Sequence, residues 1–486
     1  VGGTVVSLGV WFVVTPVLVH HLGSTQYGLW IIATAIVAYA RVLDLGVGDA
    51  VTRHIAVYRA GTDEDRSSAV IIAALWIYSG LALVALALTA LMVPLFTRIF
   101  DIPAADHGRA IAVLLLVGLN VACTLPAITS LAVLRGLHRF GYINIVSAAS
   151  AVVMGTAIII VVHAGGDVVA VAALGPPFEL LAQIPMVLLI HRAAPDLRLR
   201  MRHPTRADTR LVLSFGAPQA IVRLAQQVRM QSDELFVGAL QSTAQVTKYA
   251  LTKRLTAVPV VLSDQFVDTL LPLSAELHAT DDRARLQHLV IAGTRLATAS
   301  CLLTGVSVAL LAGPFLRAWV GPAYADVGAI AFALVLSRVF ETAARPTESA
   351  LIAGGTLRAP GTAAVISATL KIAAAIALGI AFGAIGIAAA TLVSSLVYVV
   401  LIIGTGIRVF DVRRRDLTRG LAPALIAAGA AVLAVFAGRL VIGADSLIAV
   451  LVDGALGCIA FSLAYAFLPS TAWEREVGRA FIGRAR

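Results

Sequence analysis

The residues that could do chemistry in this chain are charges set inside apolar runs. Arg41, Arg223, Arg229, Lys253 and Arg254 fall in the stretches near 27–52, 211–240 and 246–275. A charge at the centre of a bilayer costs roughly 2.5–3.5 kcal/mol on insertion scales, so such residues face water, a ligand or a partner. Together these cations suit an anionic ligand, and the planar fork of arginine suits phosphate oxygens. A structural alternative stands beside this. Asp44, Asp233 and Asp264 lie in the same stretches, and pairing with them would only fix the packing.

A second group sits in the stretch near 326–352. Arg338, Glu341, Arg345 and Glu348 share one helix face, and their alternating signs allow pairing along the helix. Positions 220 residues earlier hold Gly118, Val121, Leu125 and Ile128, so the ladder belongs to one half of the chain. It reads either as a self-neutralised structural ladder or as the wall of a hydrophilic cavity.

The elements that must hold these charges are membrane-spanning helices. The chain is 59% hydrophobic and 13% charged, and a soluble domain is nearer a quarter charged. Lipid is the solvent such a chain needs. Apolar stretches recur near 4–21, 27–52, 68–97, 109–133, 142–164, 168–191, 211–240, 246–275, 287–313, 326–352, 360–382, 386–408, 419–442 and 446–468. The fold class is thus an all-α integral membrane protein with about 14 spans.

Loop charge sets the orientation. One set of loops holds Arg53, Arg59 and Arg66; Arg135 and Arg139; Arg192 to Arg210; Arg283 and Arg285; and Arg408 to Arg419. The other set holds little beyond Arg98, Arg109, Lys248, Arg317 and Arg439. The arginine-rich side is cytoplasmic by the positive-inside bias, with both termini on it. The net charge of +10 is therefore topological, and nothing points to nucleic acid. Cys123, Cys301 and Cys458 lie in apolar runs without metal or disulfide spacing. The chain begins at Val1 without a methionine, which leaves room for a short preceding segment, and shows no cleavable signal peptide.

The chain repeats itself. Ala105-Asp106-His107-Gly108 recurs as Ala325-Asp326-Val327-Gly328, Pro126 as Pro346, Leu137 as Leu357, Ser147 as Ser367 and Gly166 as Gly386, each 220 residues on (346 − 126). Six spans per repeat give two pseudo-symmetric lobes of like orientation, with the substrate site between them. The division is 1–192 for the first lobe, 193–209 for a cytoplasmic linker, 210–408 for the second lobe, and 409–486 for two extra helices and a tail.

Two segments suggest a family. One is Leu22-Gly23-Ser24-Thr25-Gln26-Tyr27-Gly28-Leu29-Trp30 with Leu43-Asp44-Leu45-Gly46. The other is Phe215-Gly216-Ala217-Pro218, Asp233, Tyr249 and Arg254-Leu255. The chain resembles, over essentially its whole length, the Wzx-type flippases for polysaccharide precursors in the multidrug/oligosaccharidyl-lipid/polysaccharide exporter superfamily. The resemblance implies a V-shaped pair of lobes around a central cavity. It implies a polyprenyl-pyrophosphate-linked glycan as substrate, alternating access, and a groove for the lipid tail formed with the two extra helices. In some lipid II flippases the first and fifth helices of the second lobe each give a carboxylate to a sodium site. Here the fifth helix carries Lys371, so the resemblance suggests that its ammonium replaces the metal and pairs with Asp233. Asp233 could instead pair with Arg229 one turn earlier, and Lys371 could join the phosphate-binding set.

Gly46-Val47-Gly48 and Gly354-Gly355 imitate nucleotide loops, but no strand precedes them and no Walker lysine follows, so they read as helix breaks. No cofactor is expected, and energy must come from a gradient. The leading function is a flippase, not an enzyme, in the bacterial inner membrane. Its partners are the lipid-linked glycan and membrane lipids. It is read as a monomer that could associate with a polysaccharide polymerase or glycosyltransferases. The rival is a multidrug or small-molecule antiporter of the same superfamily, which the arginine excess disfavours. A membrane-embedded glycan-processing enzyme comes last, since no loop between spans is long enough for it.

Overall fold

A computed structural model describes residues 2–39, 44, 46–59, 64–100, 102–195, 204–213, 220–267, 270–280, 282–356, 358–443 and 446–468. The described residues divide into two compact units, Val1–Thr247 and Lys248–Arg486.

The first unit contains α1 (Gly2–Ala38), α2 (Val47–Arg59), α3 (Glu64–Ile99), α4 (His107–Gly136), α5 (Phe140–His163), α6 (Val168–Ala173), α7 (Gly175–Ala193), α8 (Arg206–Leu213) and α9 (Ala220–Leu240). Helix α10 (Thr243–Leu255) begins in it. The second unit continues with α11 (Val258–Val267), α12 (Leu270–Ala279), α13 (Arg283–Trp319), α14 (Gly328–Ala353), α15 (Arg358–Phe410), α16 (Arg414–Val441) and α17 (Leu447–Phe467).

Among the described residues nine helical segments are long and apolar enough to cross a membrane. Backbone groups in lipid must be satisfied within the segment, which is why the apolar runs become helices. Helices α9 and α14 carry more charge and fall outside that set, and α10, at 13 residues, is too short for it. Helix α15 runs 53 residues but is broken at Gly383, where φ is 62°. Helix α1 is broken likewise at Gly23, with φ 72°.

Three of the stretches expected as single spans are divided, and a fourth, near 168–191, is interrupted but still counts as one candidate span, Val168–Ala193. The stretch near 27–52 ends its first helix at Ala38 and restarts at Val47, after Gly46 turns the chain with φ 74°. The stretch near 168–191 restarts at Gly175, where Pro176 opens α7. The stretch near 211–240 is helical to Leu213 and again from Ala220. The stretch near 246–275 becomes α10, α11 and α12, because Pro259 suits a helix start and cannot continue α10. Gly354-Gly355 does end a helix: Gly355 has φ 77°, and the N–H of Thr356 reaches back to Leu351 O at 2.9 Å.

Element boundaries follow the sequence repeat. Helix α13 ends at Trp319, 220 residues (319 − 99) after α3 ends at Ile99. The proline inside α4 is Pro126 and the one inside α14 is Pro346. Helix α3 packs on α4, and α13 packs on α14.

Small residues set the close approaches, as expected where helices lack a water-driven force between them. Gly155 of α5 faces Val10 and Val14 of α1, and Gly118 of α4 faces Thr89 of α3. In the second unit Ala424, Ala427 and Ala431 of α16 pack with Cys301, Leu302 and Val306 of α13 and Phe461 of α17. Asp167, Asp282 and Ser446 cap the starts of α6, α13 and α17 with side-chain oxygens.

Candidate functional site

In the first unit the charges converge on Asp44. Gly46 bends the chain just after it, and Asp44 Oδ1 accepts the N–H of Gly48 at 3.3 Å in the first turn of α2. Gly48 leaves the room: a methyl there would meet Ile128 Cγ2 at 3.1 Å and the Tyr78 hydroxyl at 3.2 Å. Tyr78 of α3 is fully buried and donates its hydroxyl to the same Oδ1. Thr52 of α2 donates to Ala132 O of α4 at 3.2 Å and fixes the helix beneath.

Arg223 of α9 completes the cluster. Its Nη1 lies 3.2 Å from Asp44 Oδ2, and its Nη2 lies 2.6 Å from Asp49 Oδ2. One turn on, Gln227 Nε2 donates to Ala38 O at 3.3 Å and ties α9 to the end of α1. Two carboxylates hold one guanidinium, so acid exceeds base by one among the described residues of the cluster.

Further along α9, Arg229, Asp233 and Glu234 are all buried, at 6%, 1% and 7% exposure. Tyr39 sits beside Ser232 with Asp233 and Glu234 close by. Arg41 lies outside the described residues, as does the Phe215-Gly216-Ala217-Pro218 segment.

In the second unit Lys253 and Arg254 end α10, both half-buried. Lys371 of α15 is fully buried. The ladder of α14 divides. Arg338 pairs along the helix with Glu341 at 2.8 Å, and Ser395 of α15 donates to the other oxygen of Glu341 at 3.0 Å. Arg345 turns away to pair with Asp264 of α11. The ladder therefore neutralises partly along α14 and partly across to another helix.

Asp49, Tyr78 and Ser395 belong to these clusters and carry no signal of their own in the sequence beyond being polar. Among the described residues no group of three or more His, Cys, Asp or Glu is placed to hold a metal ion.

The family model of polysaccharide biosynthesis proteins matches residues 1–278. The chain belongs to that family. No curated protein sequence matches it. Among solved structures, the lipid II flippase MurJ in an inward closed conformation aligns with a TM-score of 0.73 at 16% identity, over 98% of this chain and 99% of that one. An inward-facing multidrug resistance MATE family transporter of the MOP superfamily aligns with 0.65 at 16% identity, over 84% and 93%. A MOP superfamily transporter from Pyrococcus furiosus, described as having a binding pocket of reverse polarity, aligns with 0.60 at 13% identity, over 84% and 94%. The fold is thus that of the MOP superfamily, in a multi-pass membrane protein.

Proposed function

We propose that this polysaccharide biosynthesis protein is a flippase. It moves a polyprenyl-pyrophosphate-linked oligosaccharide across the bacterial cytoplasmic membrane by alternating access. The observation that carries the reading is Arg223, a guanidinium held in a membrane protein of this family at a helix break. A pyrophosphate is the kind of ligand that can compete with two carboxylates for one arginine, because it offers bidentate oxygens and a higher charge. Arg229, Lys253, Arg254 and Arg41 extend the cationic set for the substrate.

The architecture in this reading has fourteen spans, arranged as six-helix lobes over 1–192 and 210–408 with two further helices. Both termini lie in the cytoplasm. The 220-residue spacing of α3 to α13, and of Pro126 to Pro346, supports the repeat.

The test is export in cells. A strain lacking its own glycan flippase should regain surface glycan with this chain, and should not with Arg223→Ala at equal protein level. Arg223→Lys should restore it only in part, since the fork is lost.

A second reading is a multidrug antiporter, favoured by the excess of acid over base around Arg223. It requires export of a lipophilic cation, lost in Asp44→Asn and kept in Arg254→Ala.

A further inference from the structure

The end of α12, the start of α13 and the end of α15 enclose a cavity of about 310 Å³ in the second unit. That is large enough for a small ligand or a lipid headgroup. Its polar lining is His278, Arg283, Gln287 and Asp411. Its apolar lining includes Leu286, Val409 and Phe410. Arg283 opens one candidate membrane span and Phe410 ends another, so the cavity lies where two spans reach the membrane boundary. Val409 is itself exposed, which leaves apolar surface beside the cavity.

The fold fixes the walls. Gly354 leaves room for the His278 ring, since an added methyl would stand 2.7 Å from its Cε1. The imidazole donates its Nε2–H to Ala350 O at 3.0 Å and lies against the Phe410 ring, with centroids 6.0 Å apart. Gln287 donates its amide nitrogen to Phe410 O at 2.8 Å, and so keeps its amide oxygen as an acceptor. Asp411 closes α15 in a left-handed turn with φ 52°, and the N–H of Val412 reaches back to Ile407 O at 3.2 Å. Glycine takes that conformation most easily, so the acid stands in the lining at a conformational cost. Neighbouring arginines are turned elsewhere. Arg285 pairs with Asp282 at 3.4 Å, and Arg408 donates to Gly404 O at 3.2 Å. Among the described residues the lining thus holds one guanidinium and one carboxylate.

A ligand that suits this lining carries both signs of charge next to apolar chains. Phosphate oxygens suit the arginine fork. A primary ammonium has N–H donors for the Asp411 carboxylate and the Gln287 amide oxygen, and a quaternary ammonium has none. A lipid with a phosphate and no ammonium would leave Asp411 opposing it. We propose that the cavity binds the headgroup of a phosphatidylethanolamine-type membrane lipid, with the phosphate on Arg283 and the ammonium on Asp411 and Gln287. The site shares no residue with the Asp44–Arg223 cluster, so the assignment holds whatever substrate is transported.

Native mass spectrometry of the full chain tests it. The protein is released from detergent micelles holding equal amounts of phosphatidylethanolamine, phosphatidylglycerol and phosphatidylcholine. The wild type should retain the ethanolamine lipid several-fold over the other two. Asp411→Asn should abolish that preference, and Arg283→Ala should lower retention of all three lipids, which share the phosphate. Asp411→Gly takes the left-handed turn more easily and should behave as Asp411→Asn does. A wild type without the preference, or one that favours phosphatidylglycerol, would overturn the proposal. So would a preference unchanged in both Asp411 variants. Binding of free phosphoethanolamine with no retention of the lipid would make the ligand a soluble one and overturn the lipid assignment.

Discussion

Arg223 and Asp49 meet at 2.6 Å, closer than Arg223 and Asp44 at 3.2 Å, yet the longer contact is the better shielded. Asp49 keeps 65% of its side chain in contact with solvent and Asp44 only 19%. Water screens the shorter pair, so distance and strength run in opposite order.

A double-mutant cycle should show this order. The Arg223–Asp49 coupling should be below about 0.5 kcal/mol, as for exposed pairs. The Arg223–Asp44 coupling should be about 1–2 kcal/mol, since the acid also holds the Tyr78 hydroxyl and the Gly48 N–H. Equal couplings in thermal unfolding would mean that exposure does not govern the cluster.

Glu341 joins Arg338 and Ser395 with both side chains of the ion pair largely buried, at 14% and 13% exposure. Glu341→Ala should cost about 3 kcal/mol, because it removes a largely buried acid from the Arg338 guanidinium. Ser395→Ala should cost about 1 kcal/mol. A Glu341→Ala no worse than Ser395→Ala would show that Arg338 finds another acid.

Gly28 of α1 leaves no room for a side chain, because an added methyl would overlap the carbonyl of Thr243. Thr247 secures the same approach by donating to Ser24 O at 2.6 Å. Gly28→Ala should lower stability by about 1–3 kcal/mol through overpacking against backbone. Thr247→Ala should cost about 1 kcal/mol. An unchanged Tm for Gly28→Ala would mean that the two segments part freely.

Orientation is checked by labelling. Cysteines placed at Gly165 and at Arg413 should react with an impermeant reagent from opposite faces of the membrane, Arg413 from the cytoplasmic one. Reaction of both from one face would contradict the span count.

What the sequence made legible was whatever local chemistry decides. Long apolar runs had to be helices, and the glycines at 46 and 355 had to be turns, because only a residue without a side chain takes those dihedrals easily. The break before Pro259 was readable in principle but was hidden by the apolar run around it. Partner choice was readable only in part. Spacing along α14 offers Arg345 two acids on its own helix, and the fold gives it Asp264 from α11 instead. Arg223 does take Asp44, one of the acids the sequence offered, 179 residues away, but adds Asp49, 174 residues away, which the sequence did not single out.

The most direct measurement of the central claim is translocation in proteoliposomes holding only the purified chain. A polyprenyl-pyrophosphate carrying a short labelled glycan is placed in one leaflet, and its arrival in the other is followed with an added glycosidase. The wild type should make the labelled lipid accessible many-fold faster than protein-free vesicles. Arg223→Ala should fall to the vesicle rate, and Arg223→Lys should lie between. A wild-type rate no faster than empty vesicles, with efflux of a lipophilic cation instead, would contradict the flippase reading.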